Sequence, residues 1–592
     1  MTPPPLVATV LPDVTGIDRQ FDYLVPDALV SRVHVGDLVR VSLHGRRVGA
    51  WVVQVAVHDG ELPLERMKPI AKVTGAGPGA ATIDLARWAR QRWASRGIRP
   101  FLVAASPQRA VVRGMPPART ASTFEPRHDR AAALLSRGGG VLRVGPSEDP
   151  NVTVVAACLT RGPVLVVVPA LDTATMLAGR LRRASVSVAL SPGEWAQAHA
   201  GADVVIGTRT AVWAPCPDLA SIVVFDEHDE RLQEERSPTW HARDVAIERA
   251  RRASVPVLLV SPVPSVTALT WAGAAVSHPS ITSSRAAWPF VDVIDRTRDE
   301  PWQTSMLTSP LIAALRDERR RIVCVHNAKG RARLSACRTC KALARCERCE
   351  AAVREDDAGH FHCDRCGLDR PLVCASCMGT AFANLRPGIA RLREEIAAAA
   401  NRDVVVVSGD DSDVPADADV YVGTEAVLHR VRRADVVAFL DFDAELLAPR
   451  YRAGEQAMAL VVRAARLVGA RDVGGRVMLQ TFLPRHEVVQ AALLADPERM
   501  SRVDAARRRE LGLPPFAALA TIRGAGSDEF AGALRARLAS AHAENRWHVG
   551  GAASGNELVV RAPEWESLGT LLADVPRPKG SRLRIEVDPP RA

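Results

Sequence analysis

The sequence predicts a multidomain α/β protein. Two doubly wound lobes stand in tandem, with a cysteine-rich module inserted in the second. A small β-rich domain precedes them and a further α/β unit follows. Three observations carry this reading. Near-continuous Val/Ile/Leu runs alternate with helical segments over two long stretches, as in parallel sheets covered on both faces. Four C-x-x-C pairs crowd into Cys337–Cys377, between a strand and a helix of the second stretch. Residues 6 to about 75 instead alternate apolar and polar side chains in short β-branched runs.

Composition sets the outer bounds. At 592 residues the chain exceeds what one core organises, and about three to five domains are expected. Hydrophobic residues make up 47%, which excludes a disordered chain. No apolar run approaches the roughly 20 residues of a membrane helix. The opening MTPPPLVATVLPD lacks the basic stretch and apolar core of a secretory signal, so a cytoplasmic protein is expected. Lys and Arg outnumber Asp and Glu, 77 to 67, for a net charge of +10. That excess fits a polyanionic partner. The Arg and Ala bias reflects a GC-rich genome equally well.

Residues 1–78 form the β-rich domain, with strands at Leu6–Leu11, Phe21–Val25, Asp37–Ser42 and Val48–Val57. Arg40, Arg46, Arg47, Arg66, Lys68 and Lys72 decorate it; alone, such a set is more often a solvated face than a nucleic-acid site. The Gly75–Gly79 stretch reads as a linker. Ile83, Leu85, Ala86, Ala89 and Trp93 then recur at helical spacing, so residues 79–122 read as a small helical or winged-helix-like unit with its linker. Lobe one covers 123–290, with apolar runs read as strands at Val152–Ala157, Val164–Val168, Val204–Ile206, Ile222–Phe225 and Val257–Val260. Helices Ala170–Ala184 and His241–Ala253 lie between them. Lobe two covers 291–335 and 380–485, with runs at Ile322–Val325, Val404–Val407, Val420–Val422, Val436–Leu440 and Val477–Phe482. Residues 336–379 are inserted between its first of these strands and the helix Ile389–Ala400. Residues 486–592 form the last unit, with strands near Leu519–Arg523, Glu557–Arg561 and Leu583–Val587.

The insertion holds Cys337/Cys340, Cys346/Cys349, Cys363/Cys366 and Cys374/Cys377, eight of the eleven cysteines. A C-x-x-C turn converges two thiolates on one ion, and two turns complete a tetrahedral Zn²⁺ shell. The segment has few large apolar residues, so metal binding must supply its folding free energy. Disulfides do not suit a reducing compartment, and redox C-x-x-C motifs come singly beside a βαβ unit. All-cysteine shells leave no open position for water, so the expected zincs are structural. Spacing leaves sequential and nested pairings both open. His360 and His362 lie nearby, but eight cysteines already fill two sites.

Two α/β lobes in tandem point to a nucleotide-driven motor, whose phosphate loop reads G-x-x-x-x-G-K-[ST]. The approach strand Val141–Val144 leads to Gly145. In register, the second glycine is then Pro150, the lysine Asn151 and the Mg²⁺-binding hydroxyl Val152. Proline has no N–H for phosphate, asparagine brings no cation, and valine cannot ligate a metal. Glu148 and Asp149 add negative charge where phosphates would sit. Asp226-Glu227-His228-Asp229 ends a strand, where paired carboxylates suit Mg²⁺ and water activation, or act as a polar cap.

On these residues the chain resembles the PriA (primosomal protein N′) family of superfamily 2 replication restart helicases, over nearly its full length. The resemblance rests on Phe21-Asp22-Tyr23, Ile206-Gly207-Thr208-Arg209, Phe225-Asp226-Glu227-His228, His241-Ala242-Arg243-Asp244, Leu513-Pro514-Pro515-Phe516 and the four C-x-x-C pairs. It implies two RecA-like helicase lobes and a β domain that takes the 3′-OH end of a nascent strand, with Phe21, Asp22, Gly45 and Lys68 at the pocket positions. It implies a winged helix near 83–113 that contacts duplex DNA. It also implies nested zinc pairs: Cys337, Cys340, Cys374 and Cys377 on one ion, Cys346, Cys349, Cys363 and Cys366 on the other. The C-terminal domain would bind fork DNA and single-strand-binding protein.

The departures from the family pattern concentrate at the nucleotide site of Gly145, Asn151, Val152, Asp226 and Glu227, where the Asp226-Glu227 pair is the only element kept whole. The G-S-A-T-P motif reads Val260-Ser261-Pro262-Val263-Pro264. The arginine-finger motif Q-x-x-G-R-x-G-R is absent from Val461–Arg471, and G-T-Q-M-x-x-K-G-H is reduced to Gly423–His429. A motor neutralises transition-state charge from all sides, so negligible ATP hydrolysis is expected. The chain thus resembles the helicase-degenerate actinobacterial form of the family. It is expected to bind forks, D-loops and single-strand/duplex junctions, to recruit primosome or helicase-loading proteins, and to be a nucleoid-associated monomer when free. The alternative is an active ATP-dependent 3′→5′ helicase using Mg²⁺ and ATP; a zinc-ribbon interaction protein in another pathway is a third reading.

Overall fold

A computed structural model describes all residues except 1–4, 61–62, 121–127, 300–304, 328–334, 357–358, 385–388, 409–413, 416, 541–546, 552–556, 579, 581 and 590–592. The N-terminal strands form one antiparallel sheet in the order Phe21–Leu24, Leu6–Pro12, Arg46–Val57, Leu38–Leu43, Lys72–Gly75. Alternation puts Ala8, Val10, Val39, Val41 and Val52 on one buried face. The sheet curls over that face. Leu24 N–H donates to Lys68 O (3.0 Å) and Ala71 N–H to Arg40 O (3.0 Å), tying the last segment to strands on both sides. Tyr23 Oη donates across the core to Ser42 O at 2.8 Å.

The segment expected as a winged-helix-like unit holds two helices, Ala80–Arg92 and Arg99–Ala105, and no β-wing among the described residues. Its apolar side chains explain why. Ile83, Ala86, Ala89, Phe101 and Leu102 join one continuous core with lobe one and the C-terminal domain. Phe101 lies 5.3 Å from Trp213 of lobe one, centroid to centroid. The helices are therefore a structural bridge between domains.

Lobe one is a seven-stranded parallel sheet in the order Val276–Ser277, Gly139–Arg143, Val257–Ser261, Ser221–Phe225, Val164–Val167, Val204–Gly207, Val188–Ser191. One expected strand is corrected. Val152–Ala157 lies in the helix Asn151–Leu159. Val154, Val155, Ala156, Ala157 and Cys158 are all buried there, so the helix is apolar all round and periodicity does not separate it from a buried strand. Topology decides: parallel strands Gly139–Arg143 and Val164–Val167 need a crossover between them.

Lobe two is a six-stranded parallel sheet in the order Phe290–Asp295, Arg476–Thr481, Val436–Phe439, Ile322–Val325, Val420–Gly423, Val404–Val407. The cysteine module interrupts it between Ile322–Val325 and the helix Ile389–Ala400, as expected. Helices Glu487–Leu494 and Pro497–Glu510 bury Val488, Val489 and Met500 in this lobe's core, so its packing runs past residue 485. The C-terminal sheet is antiparallel, in the order His548–Gly551, Glu557–Ala562, Ala518–Arg523, Arg584–Val587.

The domains meet at a buried polar junction. Asp588 accepts from Tyr451 Oη (2.6 Å) and Arg452 Nη2 (2.6 Å), and its carbonyl accepts from Gln233 Nε2 at 2.7 Å. Arg92 stacks 3.7 Å over Trp565 and reaches Asp244 at 3.5 Å. Four segments distant in sequence are thereby fixed together. Phe101→Ala is expected to cost about 3–5 kcal/mol, the range for emptying a buried aromatic site, read as a lower thermal midpoint. A drop confined to the N-terminal domain, with lobe one melting unchanged, would show that the bridge is not mechanical.

Candidate functional site

The four C-x-x-C pairs fold as four copies of one turn. In each, the first cysteine's N–H donates to a carbonyl five residues on: Cys337 to Ala342 (2.9 Å), Cys346 to Ala351 (2.8 Å), Cys363 to Leu368 (3.0 Å), Cys374 to Gly379 (2.9 Å). The residue after the second cysteine donates back to the first cysteine's carbonyl at 2.9 Å; these are Lys341, Glu350, Gly367 and Met378. All four have positive φ, 63°, 61°, 71° and 62°. Three are not glycine, so the turn holds a conformation that L-residues visit rarely.

The turns pair in nested order. The sulfurs of Cys337, Cys340, Cys374 and Cys377 lie within 4.8 Å of one another, and so do those of Cys346, Cys349, Cys363 and Cys366. Neighbouring sulfurs stand 3.5 Å apart for Cys337–Cys377 and 3.4 Å for Cys346–Cys366. A tetrahedral shell with 2.3 Å metal–sulfur bonds has edges of about 3.8 Å. Each cluster can therefore hold one metal ion with little movement, while S–S bonding would need far closer approach. His362 instead bonds Asp369 and lies outside both clusters, as does His360. Ala344, Ala351, Val353 and Phe361 form the small core between the turns.

The cleft between the lobes holds the second group of expected site residues. Gly145 follows the strand Gly139–Arg143, and its N–H donates to the chain's own Glu148 Oε2 at 2.9 Å. A Cβ there would lie 2.2 Å from Ala287 Cβ, so close packing alone requires glycine. Asp149 is ion-paired with Arg180. Asn151 opens the helix, and Val152 packs against the lobe-one core. The loop 145–152 contains no Lys or Arg, and its two carboxylates, Glu148 and Asp149, are engaged by Gly145 N–H and Arg180.

Asp226, at the end of Ser221–Phe225, is bound on both oxygens by Arg466 of lobe two, at 2.7 Å (Nη1) and 2.5 Å (Nη2). Arg466 Nε also donates to Pro146 O at 3.2 Å. One turn earlier, Arg463 donates to Asp229 at 2.9 Å and meets His429 Nδ1 at 3.0 Å. Glu227 turns away and is fully buried, accepting from Ser265 N (2.6 Å), Ser265 Oγ (2.9 Å) and Arg243 Nη1 (3.4 Å). Burial pushes its carboxyl up, and Arg243 opposes this. Burial works to raise Asp226 too, but the Arg466 charge and hydrogen bonds hold it below the usual carboxylate range. Burial holds His228 and His429 down to about 4.

Arg463 and Arg466 are the residues at this cleft that the sequence reading passed over. The family motif G-R-x-G-R appears here as Val462-Arg463-Ala464-Ala465-Arg466, with both glycines replaced and both arginines kept. The surviving signal was the R-x-x-R spacing, which puts both side chains on one helix face.

The expected 3′-end residues are brought together only in part. Phe21 and Asp22 lie on one edge strand, and Lys68 joins its end through the Leu24 N–H bond. Asp22 Oδ1 accepts from Thr9 Oγ1 at 2.6 Å. Gly45 sits at the hairpin tip beyond Leu38–Leu43, with φ 79°, and no described contact links it to the other three.

The N-terminal region, residues 7–101, matches the family described as 3'DNA-binding domain (3'BD), a match that takes in the helix Ala80–Arg92 and ends within the next, Arg99–Ala105. The chain is 30% identical to the probable replication restart protein PriA of Mycobacterium tuberculosis over 566 residues, 86% of this chain and 85% of that protein. The chain belongs to the PriA family. The corresponding Mycobacterium leprae protein is 28% identical over 96% of this chain and 95% of its own length. The Bacillus subtilis replication restart protein PriA is 26% identical over 56% of this chain and 44% of its own. Among solved structures, S. cerevisiae Dbp5 bound to RNA and ADP BeF3 aligns with a TM-score of 0.33 at 9% identity over 64% of this chain and 93% of that one, a likeness that carries no argument.

Two outcomes follow from this geometry. Cys349→Ser is expected to lower bound metal by one ion per chain, measured by elemental analysis, leaving the other cluster loaded; loss of both ions would show the clusters to be one folding unit. In the second, His228 and His429 have folded pKa values near 4 against an ordinary 6.5. The unfolded chain then binds protons that the folded one does not, so stability falls as pH drops from 6.5 towards 4. Asp226, held below 3.8, loses its own contribution at lower pH still. The thermal midpoint against pH checks this, and His429→Gln should flatten part of the slope.

Proposed function

We propose that the chain is a DNA-structure-binding protein of replication restart, whose two lobes serve as a fixed scaffold and not as a motor. The observation that carries this is the filling of the nucleotide site from within. The carboxylate positioned for Mg²⁺, Asp226, has both oxygens on Arg466, and the first loop N–H, Gly145, is taken by Glu148. Phosphoryl transfer needs a phosphate cradle, a metal and a free arginine at once. Here the arginine has consumed the metal ligand. The match to a 3′ DNA-binding domain and the relatives named as replication restart proteins support binding to forks and D-loops. In this reading Phe21, Asp22 and Lys68 face a strand's 3′ end, with Gly45 leaving room at the hairpin tip. Each cysteine cluster holds a structural zinc, which suits an all-thiolate shell. The bound fork then recruits single-strand-binding protein and helicase-loading proteins in the cytoplasm.

A second reading, an active 3′→5′ helicase, draws support from the retained Arg463, Arg466 and Asp226-Glu227. ATP hydrolysis by the metal-loaded chain, with and without forked DNA, separates the two. The scaffold reading expects fork binding without stimulated hydrolysis. Stimulated turnover that disappears on Asp226→Asn would establish the motor instead. Asp22→Ala is expected to erase any preference for a 3′-OH over a 3′-phosphate at the junction while leaving overall fork affinity within about threefold; equal affinity for both ends in the unsubstituted chain would remove the 3′-end assignment.

A further inference from the structure

The two cysteine clusters differ in what shields them. In the inner cluster Cys346, Cys349 and Cys363 are buried in the module's small apolar core with Val353 and Phe361, and Cys366 packs half-buried against it. In the outer cluster only the first cysteine of each turn is buried, Cys337 at 0% and Cys374 at 3% exposed. The second of each turn, Cys340 and Cys377, stands exposed. Each exposed sulfur faces a buried one of the opposite turn at 3.5 Å, Cys340 against Cys374 and Cys377 against Cys337. Cys340 and Cys374 also border a cavity of about 390 Å³ between the module and lobe two, lined on the lobe side by Thr297, Phe482 and Leu483. Cys346 of the inner cluster touches the same cavity but is only 2% exposed.

The outer cluster sits where the module joins lobe two. The chain enters through Ser335–Cys337 and leaves through Phe382–Asn384, and these strands pair antiparallel with Cys337 opposite Phe382. Phe382 then meets Phe361 edge to face at 4.7 Å. The outer ligands thus pin the base of the module, and the inner ones its body. Thiolates are the form that oxidants attack, and metal ligation keeps all eight cysteines as thiolates. Among thiolates, exposure and a resolving cysteine close by decide which is oxidised. The other three cysteines do not compete. Burial pushes Cys158 and Cys324 up to about 12 and Cys216 up to about 11, so they stay thiols at neutral pH.

We propose that the outer cluster is an oxidative modification site, at which a peroxide links Cys340 or Cys377 to its facing cysteine and so discharges one ion while the inner cluster keeps its own. The exposed thiolate attacks a peroxide oxygen, the O–O bond breaks, and a sulfenic acid and hydroxide form. The facing thiolate then attacks the sulfenic sulfur, forming the S–S bond and expelling a second hydroxide. Each sulfur gives up one electron, and the peroxide takes both. A linked pair supplies no thiolate, so the four-sulfur shell is lost. The base of the module is then unpinned while its body stays folded. The proposal rests on the reading of both clusters as zinc sites, and on neither the DNA-binding nor the ATP reading.

The test uses the full-length chain, loaded with zinc and shown by elemental analysis to hold two ions. Hydrogen peroxide is added in small excess, released zinc is read with a chromogenic chelator, and disulfides are mapped by differential alkylation and mass spectrometry. One ion per chain should be released, with Cys340 linked to Cys374 or Cys377 linked to Cys337. Dithiothreitol with added zinc should restore it. Trypsin should cut the oxidised chain faster at Arg338 or Lys341, while Arg365 stays protected. The variant Cys340→Ser/Cys377→Ser should bind one ion and release none at the same dose. The mapping is done on the unsubstituted chain, so it decides even where that variant does not fold. Retention of both ions under peroxide, release of both together, or earlier linkage among Cys346, Cys349, Cys363 and Cys366 overturns the proposal. A chain that takes up fewer than two ions overturns the zinc reading beneath it, and does so before peroxide is added.

Discussion

Asp226 can hold a metal ion or an arginine, but its two oxygens cannot serve both. In this structure Arg466 takes them, and much of the arrangement follows from that choice. Arg466 comes from lobe two, so the pair draws the lobes together across the cleft. Its Nε reaches Pro146, so the loop that replaces the phosphate cradle is held by the same side chain. Arg463 then falls beside Asp229, which burial works to raise and its arginine partners hold well below the usual range. The ion pairs are partly exposed, with 38% and 22% of the Arg466 and Asp226 side-chain surfaces accessible. Solvent screening therefore leaves each pair modest alone. Their effect lies in geometry: bidentate contacts fix the angle between two sheets.

The cysteine module solves a different problem. It has one small apolar core, around Phe361 and Val353, and the rest of its order comes from repeated turns. Lys341, Glu350 and Met378 adopt left-handed backbone at the close of those turns. Such strain persists only where surroundings over-determine it, and thiolates converging on an ion do so. Among the contacts that join the module to its neighbours are Ala352 N–H to Leu447 O at 2.8 Å, Arg365 Nη2 to Ala448 O at 2.6 Å, and Arg507 to Glu350. These anchor the module to lobe two and to the helix Pro497–Glu510.

How much of this was legible in the residues depended on how far each signal reaches. The strands of both parallel sheets stood out because fully buried strands read as unbroken β-branched runs. The same rule failed at Val152–Ala157, where a helix is buried on every side. The C-x-x-C spacing announced metal chemistry, because both ligands of a turn are local. The nested pairing came only from family resemblance, since which turn meets which is a tertiary fact. The damaged phosphate loop was visible residue by residue, but its replacement was not. That Glu148 caps Gly145 and Arg466 reaches Asp226 requires the loop and the lobes to be closed. The helices after residue 79 were legible as helices but not as a bridge: their apolar positions are the same whether they cover a winged helix or join two domains.

If the lobes are the proposed scaffold, the two lost glycines of the arginine motif account for how a motor part becomes a structural one. A glycine inside a helix costs about 1 kcal/mol relative to alanine and leaves the backbone free to move. Here Val462 and Ala465 stand in their place, 1% and 0% exposed, within an unbroken helix Ala453–Val468. They anchor the helix in the lobe-two core on one side. Arg463 and Arg466, three residues apart, are left on the side facing lobe one. A finger that must approach and leave a phosphate in each cycle gains from a flexible stalk. A clasp that must stay closed gains from a stiff one. The substitutions at 462 and 465 favour the clasp, and they do so without disturbing the parallel strands beneath, whose stability comes from helix cover and not from the nucleotide site.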